Sequence, residues 1–471
     1  MSTLYETLKS YSRQGITAMH MPGHKRRGNF AADLPWHLDI TEIEGFDNLH
    51  APEGLLLLAQ ERAARLWGSE ASFFLVNGST AGILAGIYAL VRPGEKILIG
   101  RNCHKSVYHA VELLGLSPVY LDPPIVVGTG ICGSISPSNV ETALEAHPDI
   151  RLAVITSPTY EGVISDVRGI AKVLHARGVP LMVDEAHGAH LGLSNHFPAG
   201  AVSMGADVVV QSLHKTLPSL TQTAVLHIQG ELVSRERVQH GLALFQSSSP
   251  SYLLLASIDA CVTELLERGE SLLARWWMRL DAFYREAGLE KLSLLGKERD
   301  TAQIYDWDPS KIVILCDDTD QTGFGLMDTL RAEHGIELEM ALDGYAIAMT
   351  GLCSTDEDLE RLGGALRVID GGSKLEQRTR EARPYPVMSE AVMTVGEALC
   401  EPGRQVSFAE SVGRVARTYL WAYPPGIPLL VPGVRITEEI REALTELVSR
   451  GVELRSTFES APGFVEVVDK D

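Results

Sequence analysis

The chain is short of positive charge, of paired cysteines and of long apolar runs, and each shortage closes off a class of function. Against 61 Asp and Glu stand only 41 Lys and Arg, a formal charge of −20, which repels phosphate backbones and anionic lipid. Nucleic acid and membrane surfaces are therefore poor partners. No uninterrupted apolar stretch approaches the roughly 18 residues that a spanning helix needs. Met1 to Ser10 lacks a basic segment followed by an apolar one, so export is not expected. Cys103, Cys132, Cys261, Cys316, Cys353 and Cys400 form neither a CxxC pair nor a finger-like spacing, which suits buried free thiols in a reducing cytoplasm.

Two further absences bear on chemistry. There is no G-x-x-x-x-G-K-[ST] loop, so Asp184-Glu185-Ala186-His187, which spells the box of a helicase family, lacks the nucleotide loop such enzymes need. His187 and His190, with His20, His24 and His104, come without an H-E-x-x-H helix or a Cys/His cluster, and a metal site is not expected. With 45% hydrophobic and 22% charged residues and no internal repeat, the composition is that of a folded chain of several domains.

What is present alternates. Apolar or β-branched runs at 72–76, 96–99, 152–156, 180–184, 207–211 and 223–228 predict strands, and the stretches 80–90, 106–114 and 170–176 between them have helical periods. Such alternation predicts an α/β domain around a mainly parallel sheet. In such sheets ligands gather outside the carboxyl ends of the strands. There lie Asn77-Gly78-Ser79-Thr80, His104, Pro158-Thr159-Tyr160, Asp184 and His214-Lys215. A long helical pattern over 252–287 leads to a smaller region with strands at 311–315 and 345–349 and helices near 325–333 and 356–369. The expected organisation is an N-terminal arm at 1–45, a large domain at 46–250, a small domain at 251–370, a linker at 371–384 and a C-terminal domain at 385–471.

Three local features carry chemistry. Gly78-Ser79-Thr80-Ala81-Gly82 opens a helix after a strand, either as a plain cap or as a cradle where N–H groups, hydroxyls and the helix dipole meet a phosphate. Asp184 ends a strand, where a partly buried carboxylate caps a turn or meets a cation such as a protonated pyridine nitrogen. Lys215 is either a solvated surface amine or, with Ser212 and His214 beside it and an apolar strand before it, a desolvated nucleophile able to attack an aldehyde. Phosphate turn, His104 as an aromatic ring, strand-end Asp184 and Ser-x-His-Lys, in that order, together point to pyridoxal phosphate.

Longer stretches then resemble a known family. Met21-Pro22-Gly23-His24-Lys25, Asp47-Asn48-Leu49-His50, Arg101-Asn102-Cys103-His104-Lys105-Ser106, Ser157-Pro158-Thr159-Tyr160-Glu161-Gly162-Val163, Val183-Asp184-Glu185-Ala186-His187-Gly188, Ser212-Leu213-His214-Lys215 and Tyr423-Pro424-Pro425-Gly426-Ile427-Pro428 resemble the Orn/Lys/Arg decarboxylase family of fold-type I pyridoxal phosphate enzymes. The likeness is greatest to the short bacterial biosynthetic arginine decarboxylases. It implies an aspartate aminotransferase-like domain with a mainly parallel central sheet, a smaller α+β domain and a C-terminal α+β domain.

The resemblance also implies roles. Lys215 would hold the cofactor covalently, Asp184 the pyridinium, and His104 would stack on the ring. Gly78, Ser79 and Thr80, with Ser212 and His214, would bind the phosphate, and His187 stands near the phenolic oxygen, where longer relatives have tryptophan. The loop Ser247–Tyr252 resembles one that reaches the neighbouring subunit's site, implying a homodimer or higher homo-oligomer with shared active sites. Two positions depart from the family: Val434 replaces an acidic residue after Val431-Pro432-Gly433, and Leu217-Pro218 replaces a more flexible stretch. The expected reaction is decarboxylation of a basic amino acid, arginine first and lysine or ornithine next, with His214 or Lys215 returning a proton to the α-carbon. An aminotransferase releasing a keto acid, and a cofactor-binding regulatory homologue without turnover, are the competing readings.

Overall fold

The computed structural model describes residues 3–14, 19, 21–22, 25, 34–296, 303–316, 319–376, 391–422, 426–449 and 453–469. His20, His24 and the Tyr423-Pro424-Pro425 segment lie outside the described residues, as do positions 377–384 of the expected linker. The chain divides into two compact units, one of residues 1–90, 180–281 and 350–355, the other of 91–179, 282–349 and 356–471.

Seven strands succeed one another: β1 (Ala71–Leu75), β2 (Lys96–Gly100), β3 (Ser117–Leu121), β4 (Ile150–Thr156), β5 (Leu181–Asp184), β6 (Val208–Ser212) and β7 (Ala224–Ile228). Helices α1 (Gly78–Leu90), α2 (Lys105–Leu114) and α3 (Tyr252–Glu286) are among those that join or follow them. In the first unit the neighbouring order is β1-β7-β6-β5, and in the second it is β4-β2-β3. Pairing is parallel for β5 with β6 and for β2 with both β3 and β4. The exception is β7, antiparallel to β6 and to β1. Only residues 213–223 separate it from β6, and a parallel return needs a crossover of about a dozen residues or more. The expectation of a mainly parallel sheet holds, with β3 added at one end, where Pro118 removes a donor that an edge strand can spare.

In the first unit α1 is buried almost all round, and its small residues let it press onto the sheet. A Cβ on Gly82 would come 2.6 Å from Leu75 Cδ1, and one on Gly86 would come 2.8 Å from Met182 Cε. The helix Arg235–Phe245 crosses α1 at Gly241, where a Cβ would meet the Ala85 carbonyl oxygen at 2.8 Å. These contacts exclude any larger side chain at the crossing.

In the second unit the strands Lys311–Leu315 and Tyr345–Met349 pair antiparallel, as the apolar runs predict. The helix Asp356–Gly372 continues through both glycines expected to begin a linker, and Ser373 Oγ donates to the Ile369 carbonyl just beyond them. Further along, Leu420–Ala422 pairs with Pro428–Leu430 and with Leu454–Ser456, and Gly403–Ser407 with Phe464–Val468. Four of the six cysteines are buried, but Cys353 and Cys400 are exposed. Among the described residues no helix is long and apolar enough to cross a membrane.

Replacing Gly241 by valine sets a β-branched side chain against backbone that cannot yield, so the urea midpoint should fall by the equivalent of about 1–3 kcal/mol. Gly364 lies in the helix Asp356–Gly372, and a methyl group added to its α-carbon would meet nothing within 4 Å, so Gly364→Ala should raise the midpoint by the equivalent of about 0.5–1 kcal/mol.

Candidate active site

Strand register brings the site of the first unit together. Leu75, Ala224 and Ser212 lie opposite one another across β1, β7 and β6. Asp184 lies opposite Val210 across β5 and β6, so the turn after β1, the end of β5 and the segment after β6 all open at one end of the sheet.

The turn after β1 is held from the side. Gly78, at φ +75°, gives its N–H to the Gln222 carbonyl at 3.0 Å, and Gln222 Nε2 donates to the Val76 carbonyl at 2.6 Å. Ser79 and Thr80 then enter the first turn of α1, and Ser212 Oγ donates to Ser79 Oγ at 3.1 Å. Two hydroxyls and the free N–H groups of a helix start therefore face one spot, which suits an anion. Gln222, itself at φ +83°, has no sequence signal that marks it as part of this frame.

Asp184 is 3% exposed and accepts one hydrogen bond, from Ala186 N at 3.1 Å. Burial raises its pKa, opposed by the charge of Lys215 and by the Ala186 N–H. Among the described residues no donor reaches its second oxygen. A carboxylate so placed is completed by a cationic N–H.

Lys215 sits in the single turn Leu213–Thr216, and its Nζ lies 2.8 Å from His187 Nε2. His214 Nδ1 donates to the Thr223 carbonyl at 2.9 Å, which leaves Nε2 as the acceptor. Burial lowers the His214 pKa, with the Thr223 carbonyl opposing the effect and the Lys215 charge adding to it. Leu352 N donates to the Thr216 carbonyl at 2.9 Å, bracing the turn from a segment that sequence patterns did not single out.

Eight of the nine predicted residues thus belong to the first unit: Gly78, Ser79, Thr80, Asp184, His187, Ser212, His214 and Lys215. His104 belongs to the second, where it caps α2: its Nδ1 accepts from Ser106 N at 3.2 Å and pairs with Ser106 Oγ at 2.9 Å. The Ser247–Tyr252 loop is tied within its own unit, Ser247 N to Asn77 Oδ1 at 3.1 Å and Ser247 O to His50 Nε2 at 2.8 Å. Asp47, also in that unit, accepts from the N–H groups of Asn48, Glu53, Gly54 and Leu56. Burial opposes its ionisation, yet those four donors hold its pKa below the ordinary value, so the Asp47–His50 motif is a structural loop.

Behind the site runs a buried polar row. Glu185, 2% exposed, accepts from Ala201 N at 2.8 Å and from Gln211 Nε2 at 2.7 Å. Gln211 Oε1 faces His227 Nε2 at 3.1 Å, and His227 Nδ1 faces Ser72 Oγ at 2.7 Å. With its amide donating to Glu185, Gln211 must accept from His227, so the imidazole proton is on Nε2 and Ser72 donates to Nδ1. The row crosses β6, β7 and β1 below the residues that do chemistry.

Comparison with known proteins agrees with this geometry. Residues 2–313 match the major domain of the Orn/Lys/Arg decarboxylases, and residues 373–469 match their C-terminal domain. The chain belongs to the Orn/Lys/Arg decarboxylase family. It is 33% identical over 446 residues to an arginine decarboxylase of Halalkalibacterium halodurans, covering 92% of this chain and 91% of that one. It is 32% identical over 482 residues to an arginine decarboxylase of Bacillus subtilis, covering 99% and 97%. The fold is shared with lysine decarboxylase A of Pseudomonas aeruginosa, at a TM-score of 0.83 and 22% identity, over all of this chain and 80% of that one. The family member described here is a pyridoxal phosphate-dependent decarboxylase of a basic amino acid with a fold-type I architecture. The orphan oxygen of Asp184, the paired hydroxyls of Ser79 and Ser212 and the amine of Lys215 fit that cofactor's ring nitrogen, phosphate and aldehyde.

Burial lowers the His227 pKa to about 3. In the unfolded chain the ring takes up a proton as pH falls through about 6.5, while the folded ring does not until about 3. Its contribution to stability is therefore whole above about pH 6.5 and is lost at up to about 1.4 kcal/mol per pH unit between those limits. Urea unfolding at about pH 7 and about pH 5 should show this decline in the native protein and a smaller one in His227→Gln.

Proposed function

We propose that the substrate is L-arginine and that the nine residues named above form its active site. The observation that carries the substrate is the near full-length likeness to two proteins named arginine decarboxylase; the one that carries the site is Lys215 Nζ beside His187, at the sheet end that also holds Asp184 and the Ser79–Ser212 pair. The boundaries 46–250, 251–370 and 385–471 are kept as the large, small and C-terminal domains, with 1–45 as an arm and 371–384 as a linker whose first two residues complete the preceding helix.

Pyridoxal phosphate, when bound, supplies an electron sink conjugated with the α-carbon of the substrate. Lys215, its amine 2.8 Å from His187 Nε2, would be the residue that holds it covalently and yields its place to the substrate amine. Asp184 accepts from the ring nitrogen and keeps it protonated, because an ionised carboxylate at a buried position is stable only beside a positive partner. Gly78, Ser79, Thr80, Ser212 and His214 anchor the phosphate, His104 stacks on the ring, and His187 accepts from the Lys215 amine. The site would have to hold the substrate so that its α-carboxylate, rather than another group on the α-carbon, is the one released as carbon dioxide, the bound cofactor supplying the electron sink. A proton then closes the α-carbon, given by Lys215 Nζ or by His214 once its Nε2 has first taken one up, and the amine departs.

The protein acts as a cytoplasmic homodimer, the Ser247–Tyr252 loop completing the partner's site; sedimentation should return twice the chain mass. Bacterial relatives and scattered cysteines support that compartment.

Incubation with the common L-amino acids and mass detection of products should give carbon dioxide and the arginine-derived amine with the highest kcat/KM. Keto acid formation in place of the amine overturns the reading, and preference for lysine overturns the substrate. Lys215→Ala should abolish turnover and the borohydride-fixed label on the peptide containing residue 215. His214→Gln should lower kcat by about 10²–10⁴ if His214 is the proton donor, and by less than about tenfold if Lys215 is.

A further inference from the structure

The Arg101-Asn102-Cys103-His104-Lys105-Ser106 motif gives one residue to the proposed site and leaves the others without a task. Three residues around His104 reach the C-terminal domain, all within the second unit. Arg101 is fully buried, donating to the Leu429 carbonyl at 3.1 Å and to Tyr108 Oη at 3.1 Å. Tyr108 Oη donates back to the Arg101 carbonyl at 2.8 Å, which closes a ring around the segment that carries His104. Burial pushes the Tyr108 hydroxyl up to about 12, against the Arg101 charge, so it remains a donor. Tyr419 Oη donates to the Tyr108 carbonyl at 3.3 Å, and Lys105 Nζ lies over the Trp421 ring at 5.5 Å. Leu429 and Trp421 stand on the paired strands Pro428–Leu430 and Leu420–Ala422.

A buried guanidinium is a costly tether. An apolar side chain of the same volume would join two domains at least as firmly, whereas planar, directional donors fix orientation. His104, three residues from Arg101 and one from Lys105, is the side chain whose orientation the clamp governs, and its Nδ1 is already held by Ser106.

We infer that the C-terminal domain takes part in the reaction through His104: Arg101, Lys105 and Trp421 are positioning residues that set the imidazole against the cofactor ring. This rests on the proposed stacking role of His104. The clamp passes the placement of the strands Leu420–Ala422 and Pro428–Leu430 to the large domain without touching substrate.

The test uses the full-length protein loaded with pyridoxal phosphate and the variants Arg101→Met, Lys105→Met, Trp421→Leu and His104→Ala, alone and combined. Two quantities are read beside activity: the dissociation constant of the cofactor by equilibrium dialysis, and the visible circular dichroism of the bound cofactor. Trp421→Leu and Lys105→Met should each weaken cofactor binding roughly 3- to 30-fold and diminish the dichroism, and neither change should appear when His104 is already alanine. If Arg101→Met fails to fold, those two variants, at partly exposed positions, carry the test. Losses that add fully to that of His104→Ala, or unchanged binding and dichroism in the clamp variants, overturn the inference while leaving the stacking role intact. Unchanged binding and dichroism in His104→Ala itself overturn the stacking role and the inference together.

Discussion

A carboxylate sealed at the end of β5 is the constraint on which the rest of the first unit depends. Asp184 is raised in pKa by burial, takes only the Ala186 N–H from the backbone, and has the Lys215 charge as its opposing influence. An ion so placed is stable only if a positive group stands beside it. The parallel pairing that sets Asp184 opposite Val210 sends the chain on through Ser212 to Lys215 at the same sheet end, so the strand register itself delivers that charge. Ser79 arrives by the same logic, since Leu75 and Ser212 are both opposite Ala224.

Rigidity beneath the site comes from polar groups that do no chemistry. Successive side chains of a strand point to opposite faces, so Gln211 turns into the buried row while Ser212 turns to Ser79. Glu185 and Asp184, adjacent acids in the D-E-A-H stretch, differ in their partners: one is satisfied by Gln211 and Ala201, the other accepts from Ala186 N. A one-residue slip of β6 would exchange the environments of Gln211 and Ser212 and turn the Ser212 hydroxyl away from Ser79.

Motifs that look alike as strings do different work. Asp47-Asn48-Leu49-His50 is a loop built on one carboxylate and four N–H groups, fastened to the Ser247 segment by His50. Glu161, in the Ser157–Val163 motif, accepts from the buried Tyr345 hydroxyl at 2.7 Å and ties the segment after β4 to the strand Tyr345–Met349 within the second unit. Arg101 does the same for the C-terminal strands. These three motifs therefore supply fastening contacts: within the Asp47–His50 loop, to the strand Tyr345–Met349 and to the C-terminal strands.

The sequence by itself determined the α/β alternation, most strand and helix positions, and that Asp184, Ser212 and Lys215 stand at strand ends or just beyond them, because apolar period and strand-end polarity are local properties of the chain. It also carried the family, since the order of short motifs survives where overall identity is low. Only the tertiary structure decided that β7 runs antiparallel, that Gln222 frames the turn after β1, that Leu352 braces Thr216 and that His187 meets the Lys215 amine. It also decided that Gly371 and Gly372 close a helix, where composition suggested a break. Each of these rests on contacts between residues distant in the chain or on backbone conformation, and neither leaves a periodic trace in the order of amino acids.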